Sequence, residues 1–568
     1  MTHPKALIRL LLVLLVLAMP ILAIPASAAT GDTLVTVGSP PTPFPQNKQN
    51  EPGIAVNASN SMILAAGTND ELDLAPCSGS SCPFTTGVGV SGIYFSLDGG
   101  QTWTQPTYTG WSARTGTAVV GPIGTLPWYY ENGLVSDGDP SLSFGPKPDG
   151  LGHFSWSNGA RLYYANLTAN FSAVRSETAF KGSEAIAVSR TDDPTGAAAG
   201  NQAAWLPPVI VSKQNAALFS DKEAIWADNA ASSPNFGNVY LCNVAFRGEE
   251  KSAHAVPEPV MFTRSTDGGA TWSSQQQLSK AANNGAVGGR QGCTVRTDSH
   301  GVVYVIWEGA LSKQSVQFLA RSFDGGVSFE QPRAIASVVD VGQLDPVSGG
   351  ATFDGVAGAR TNSFPSVDIA NGAPSGSAAP NTIVMSWADA RNGLNNEQAL
   401  VQYSTDGGTT WSTPVNGAPT SDRPDFPAVA ISPDGQNIYL TYDAFLSPWQ
   451  STTASPRLMQ GVVRHANGTA STWTTLHQGT VGDARGSSAN SLAVEFLGDY
   501  NYVVATSGSG IAVWNDARNA ADCPAIDSYR QNLATAVSPN PTPAPPTDCP
   551  ATFGNTDVFG GAYTVSTP

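Results

Sequence analysis

Three arginines, Arg290, Arg360 and Arg423, recur at similar positions just ahead of short strand-like runs. Glu51, Asp139, Asp221 and Asp425 stand at the same kind of position, with Glu223 and Asp499 just inside the runs. Guanidinium groups bind carboxylates through a bidentate fork, so arginines converging among acids suit an anionic sugar. Cleaving a glycosidic bond there needs an acid to protonate the departing oxygen. It also needs a group that stabilises an oxocarbenium-like transition state. A further polar set follows the next runs: Asn69, Asp70, Glu308, Asp389, Asp443 and Asp516. Two of these stretches, WADARN at 387–392 and WNDARN at 514–519, are nearly identical. In them Asp389 and Asp516 either fix loops through salt bridges to nearby arginines or join Asp425 in the substrate-binding set.

A repeated turn positions all of these residues. SLDGGQTW (96–103), STDGGATW (265–272), SFDGGVSF (322–329) and STDGGTTW (404–411) each follow a run with strand character. In each, an Asp (Asp98, Asp267, Asp324, Asp406) can accept hydrogen bonds from the turn's own N–H groups, and Gly-Gly permits positive φ. Repetition at this spacing implies a repeated supersecondary unit. Reading outward gives seven units, with first strands beginning near Glu51, Asp139, Lys222, Gly292, Phe364, Phe426 and Asp499. Four antiparallel strands per unit, repeated radially, make an all-β propeller. The last unit ends after its third strand at GGAYTVSTP, while DTLVTVGS (32–39) offers a spare strand near the other end. The expected fold is therefore a seven-bladed propeller closed by an N-terminal strand, with six blades plus extra strands as the alternative. The repeated turns lie between strands three and four and must occupy the face opposite the starts of first strands.

The turn is the Asp box, or BNR repeat, and the chain resembles secreted proteins of the sialidase superfamily. That resemblance implies a glycan or glycoprotein partner and an exo-acting glycosidase with a Tyr nucleophile, a Glu that assists it and an Asp acid/base. Tyr500 beside Asp499, with Glu495 nearby, matches the nucleophile, and Asp139, Asp221 and Glu223 are the candidate acids. Sialidases have six blades and carry a Phe/Tyr-Arg-Ile-Pro segment on their first inner strand. Here the equivalent stretch reads Asn50-Glu51-Pro52-Gly53-Ile54, and Glu51 would repel a sialic acid carboxylate. The competing expectation is a non-catalytic scaffold that binds protein through its rim loops.

Residues 1–28 read as a secretory signal peptide: Lys5 and Arg9, an apolar run, then Ala26-Ser27-Ala28. An uncleaved anchor is the alternative. Residues 29–568 are read as one propeller domain, with 33–39 as the closing strand and 520–556 as an insertion. A formal charge of −16 disfavours nucleic acid and anionic membranes as partners. A monomer is expected. Six cysteines in an exported chain read as disulfides. Cys77 with Cys82 would staple a loop, Cys523 with Cys549 would bracket the Pro-rich stretch, and Cys242 with Cys293 remain by elimination. There is no His-Glu-x-x-His signature or phosphate-binding glycine loop. No cofactor or metal is expected, although structural calcium stays open: each box alone offers too few oxygen ligands.

Overall fold

A computed structural model describes residues 31–212, 218–247, 258–280, 290–468, 470, 472–535 and 546–565. The signal-peptide reading falls outside them. Alternating apolar residues build short antiparallel strands, and among the described residues seven blade sheets and two two-stranded hairpins result. Their inner strands are Gln49–Val56, Ser141–Pro148, Leu218–Ala227, Arg290–Thr297, Ser366–Ile369, Arg423–Ile431 and Tyr502–Ala505 for blades 1 to 7. Each inner strand lies against the next, and that of blade 7 returns to blade 1. The ring therefore has seven blades, not six.

A single sheet cannot bury both its faces, so neighbouring blades cover one another. Seven apolar clusters accordingly sit between the seven pairs of consecutive blades. Leu241 meets Leu167 between blades 2 and 3, and Val463 meets Val503 between blades 6 and 7. The clusters at the other five interfaces are built the same way.

The Asp boxes act at these interfaces. In blade 1, Ser96 Oγ donates to Asp98 Oδ1 at 2.8 Å and accepts from Gly100 N at 2.8 Å. Asp98 also accepts from Gln101 N, Thr102 N and Thr102 Oγ1. The relaxed box of blade 4 keeps the pattern because Ser328 Oγ replaces the threonine hydroxyl, 2.6 Å from Asp324 Oδ2. The closing aromatics Trp103, Trp272, Phe329 and Trp411 each pack on the cluster shared with the preceding blade. Arginines complete the fastening. Arg161, Arg264 and Arg321 each donate to the first-glycine carbonyl of the box in the following blade, Gly268, Gly325 and Gly407.

The ends close the ring as expected. Thr33–Leu34 pairs with the third strand of blade 7 (Asp557–Thr564), Thr33 opposite Gly560 and Leu34 opposite Phe559. The paired segment is shorter than 33–39, and Val35 N and Thr36 Oγ1 continue the bonding to Val558. The second strand of blade 2 is the long Phe154–Asn170, whose Ala160–Ala165 portion pairs with Ser141–Pro146 of the inner strand. All three disulfides form as paired above, and Cys242–Cys293 ties blade 3 to blade 4. Among the described residues no helix is long and apolar enough to cross a membrane.

Candidate active site at the mouth of the ring

The mouth is shaped by one backbone device used repeatedly. Inner strands of blades 1, 3, 4 and 6 carry a bulge at their start, where the register shifts against the second strand. At or beside it the chain turns left-handed, at Glu51 (φ 55°), Lys222 (φ 54°), Gly292 (φ 63°) and Phe426 (φ 50°), and at Asp139 (φ 52°) in blade 2. Pro52, Pro140 and Pro427 follow three of these positions and cannot donate to a ladder. Non-glycine residues at positive φ are strained, and bulges re-aim side chains.

Three of the re-aimed side chains are charged, and they meet. Lys222 Nζ lies 2.7 Å from Asp499 Oδ2, 3.1 Å from Asp139 Oδ2 and 3.6 Å from Asp221 Oδ1. Arg360 grips Asp499 through Nε at 2.7 Å and reaches Glu51 Oε1 at 3.1 Å. Asn69 donates to Glu51 Oε2 at 2.6 Å, and its own oxygen accepts from Asp139 N at 2.7 Å. Glu223, Asp499, Lys222 and the half-buried Tyr500 border a cavity of 110 Å³ walled by Phe364, Phe426 and prolines. Among the described residues neither carboxyl oxygen of Glu223 has a hydrogen-bond partner.

Five carboxyls face two cations, so they cannot all be ionised cheaply. Burial would raise every one of them. Lys222 and Arg360 overcome it at Asp139 and Asp499, which stay below the ordinary carboxylate range. Asp221 is pushed up to about 7, by burial first and then by the charge of Asp139, against the pull of Lys222. Burial also raises Glu223 and Glu51 well above the usual value. Burial and the surrounding carboxylates keep the Tyr500 phenol protonated. Acids pushed in opposite directions within one cluster supply a proton donor beside fixed negative charge.

The pattern described as BNR/Asp-box repeat matches residues 402–413, the box of blade 5. The chain is an Asp-box β-propeller. The propeller is similar to the Hadza microbial sialidase Hz136, at 13% identity and a TM-score of 0.39 over 70% of this chain and 63% of that one. It is similar to the phage phi92 endosialidase, at 11% identity and 0.39, over 93% of this chain and 68% of that one. It is also similar to the GH93 α-L-arabinofuranosidase of Fusarium graminearum in complex with arabinobiose, at 16% identity and 0.31, over 52% and 79%. This chain thus spans less than two thirds of the Hadza sialidase. No curated protein matches it in sequence.

The propeller brings Asp139, Asp221, Glu223, Tyr500 and Arg360 together and sends the other sequence candidates elsewhere. Arg423 makes a buried bidentate pair with Glu397, at 2.9 and 3.1 Å, and donates to the carbonyls of Phe353 and Ser447. Glu495 lies 2.6 Å from Arg457 Nη1, with both groups fully buried. Asp389 and Asp516 bind Arg391 and Arg518 and accept from Trp387 and Trp514 Nε1, which matches the loop-fixing reading. Asp425 accepts from Thr361 Oγ1 at 2.6 Å and from Phe426 N. The side chain of Arg290 lies outside the described residues. Sequence reasoning missed Lys222 as the hub. Its signal was position: it precedes the inner run of blade 3 as Glu51 and Asp139 precede theirs.

Proposed function

We propose that this protein is exported and that the mouth of its ring binds a glycan and hydrolyses a glycosidic bond to an uncharged sugar. One observation carries the reading: the Lys222 ammonium held among Asp139, Asp221 and Asp499 at the edge of a cavity. Protonated Asp221 gives its proton to the glycosidic oxygen as the C–O bond breaks and the bonding electrons leave with that oxygen. The positive charge developing on the sugar faces ionised Asp139 and Asp499. Water then adds to the sugar carbon and returns a proton to Asp221. Tyr500 serves as a hydrogen-bond donor on the cavity wall. An uncharged sugar is favoured because Lys222 and Arg360 are already matched by carboxylates, so among the described side chains of the cluster no guanidinium is free for a sialic acid carboxylate.

A second reading rests on the same network. Glu51, Asp139, Lys222, Arg360 and Asp499 come from blades 1, 2, 3, 5 and 7, so the cluster also suits a lock beneath a non-catalytic rim that docks protein. Turnover of fluorogenic glycosides by the purified chain separates the two. Catalysis predicts release from at least one uncharged glycoside and a loss of about 10²–10⁴-fold in Asp221→Asn with the fold retained. A lock predicts no turnover, with Lys222→Met lowering only thermal stability.

A further inference from the structure

A second cavity, larger than the one at the mouth, lies elsewhere in the ring. It opens on the Asp-box face, has a volume of 670 Å³ and runs up the central axis to Arg296 and Tyr502. Those two residues also border the mouth cavity, so they form a septum between the two openings. Volume and composition fit a small-molecule site: apolar walls with a few convergent polar groups.

The floor is built and incompletely satisfied. Arg296 comes from blade 4, is only 6% exposed and lies over the Trp226 ring of blade 3, 4.5 Å from its centroid. Its Nη1 donates to Val295 O, and its Nη2 donates to Tyr502 Oη of blade 7 at 2.9 Å. Among the described residues its buried Nε makes no hydrogen bond and is ion-paired with the Asp368 carboxylate of blade 5 at 3.6 Å. The other oxygen of Asp368, Oδ2, accepts from Ile431 N at 2.9 Å. Nη1 and Nη2 each carry a second N–H that meets no acceptor among the described residues, so the floor is short of acceptors. Tyr502 accepts from Arg296, which leaves its own proton directed at no acceptor among the described residues.

Charge decides the class of ligand. Arg296 and Asp368 balance one another, so neither a free anion nor a free cation gains a net counter-charge on this floor. What is missing is acceptor oxygen beside an apolar body. We infer that the underside cavity is a second ligand site, distinct from the mouth, and that it takes a neutral saccharide. Hydroxyl oxygens of the sugar accept from the remaining Nη N–H groups of Arg296 and from the Tyr502 hydroxyl, while its C–H faces pack on Ile54, Leu142 and Ile369. The site does not depend on any reaction at the mouth.

Isothermal titration calorimetry of the full mature chain with a panel of neutral mono- to trisaccharides tests this, with free sialic acid as the charged comparison. Gly508 borders the entrance, and a side chain added there starts in open space. Gly508→Trp therefore fills the opening without entering the core. The expected result is a neutral sugar that binds and loses one equivalent per chain in Gly508→Trp, while any turnover at the mouth is unchanged. Tyr502→Phe, which removes a single hydroxyl, is expected to weaken that equivalent roughly tenfold. Unchanged stoichiometry in Gly508→Trp overturns the inference, and so does the absence of binding by every neutral sugar. Loss of mouth turnover with this binding intact would overturn only the catalytic proposal.

Discussion

Asp221 is the residue through which the mouth chemistry can be read most directly. Its carboxyl is pushed up to about 7 while Asp139, sharing the same ammonium, is held low. A general acid works only when protonated, so kcat/KM is expected to fall as pH rises through about 7, approaching tenfold per pH unit above it. A pH–rate profile checks this, and Asp221→Asn should remove that limb together with most of the rate. The acids of this site were legible in the sequence because they recur at the starts of inner strands, where topology brings all seven blades to one mouth. Arg360 was legible in the same way, but the fates of Arg423 and Glu495 were not. Arg423 and Glu495 occupy equally suggestive positions, yet Glu397 and Arg457, more than 25 residues away in each case, neutralise them. Such partners are chosen by loop packing, which leaves no period in the sequence.

At the scale of elements, the box is a fastener whose parts are separable. Ser265 Oγ is buried and accepts from Gly269 N while donating to Asp267. Ser265→Ala leaves a buried N–H unpaired and is expected to cost about 1–3 kcal/mol, read as a lower urea midpoint. The closing strand makes a different prediction. Removing residues 29–39 strips Val35 from the cluster between blades 7 and 1 and bares the edge of Asp557–Thr564. The expected outcome is a lower unfolding temperature and concentration-dependent association through that edge, measured by calorimetry and light scattering. The boxes and the spare strand were legible because turn chemistry and strand count are local. The arginine rivets from Arg161, Arg264 and Arg321 were not, since each reaches a carbonyl of the next blade.

Over the whole molecule, buried acids set the pH response. Burial, the largest influence on each, raises Asp73, Asp137 and Asp557 to about 6 and Asp228 and Asp527 to about 7. Unfolded aspartate titrates near about 4. These groups therefore hold protons in the folded ring that the unfolded chain has released. Their stabilising effect is complete below about pH 4 and is lost as pH climbs through 6 and 7. The box aspartates act in the opposite sense: hydrogen bonds from serine or threonine hold Asp324 and Asp406 at about 2, so their contribution fades only in stronger acid. Melting temperature is expected to peak near about pH 4–5 and to decline toward pH 7.5. A melting temperature that rises over that window would contradict this balance of charges.

The central claim is that the cluster around Lys222 cleaves an uncharged sugar from a glycan. It is tested most directly by measuring kcat/KM for fluorogenic neutral glycosides and for a fluorogenic sialoside on the same preparation of mature protein. The expected result is turnover of at least one neutral glycoside, abolished in Asp221→Asn, with no release from the sialoside. Sialoside hydrolysis, or neutral turnover that survives Asp221→Asn, would contradict it.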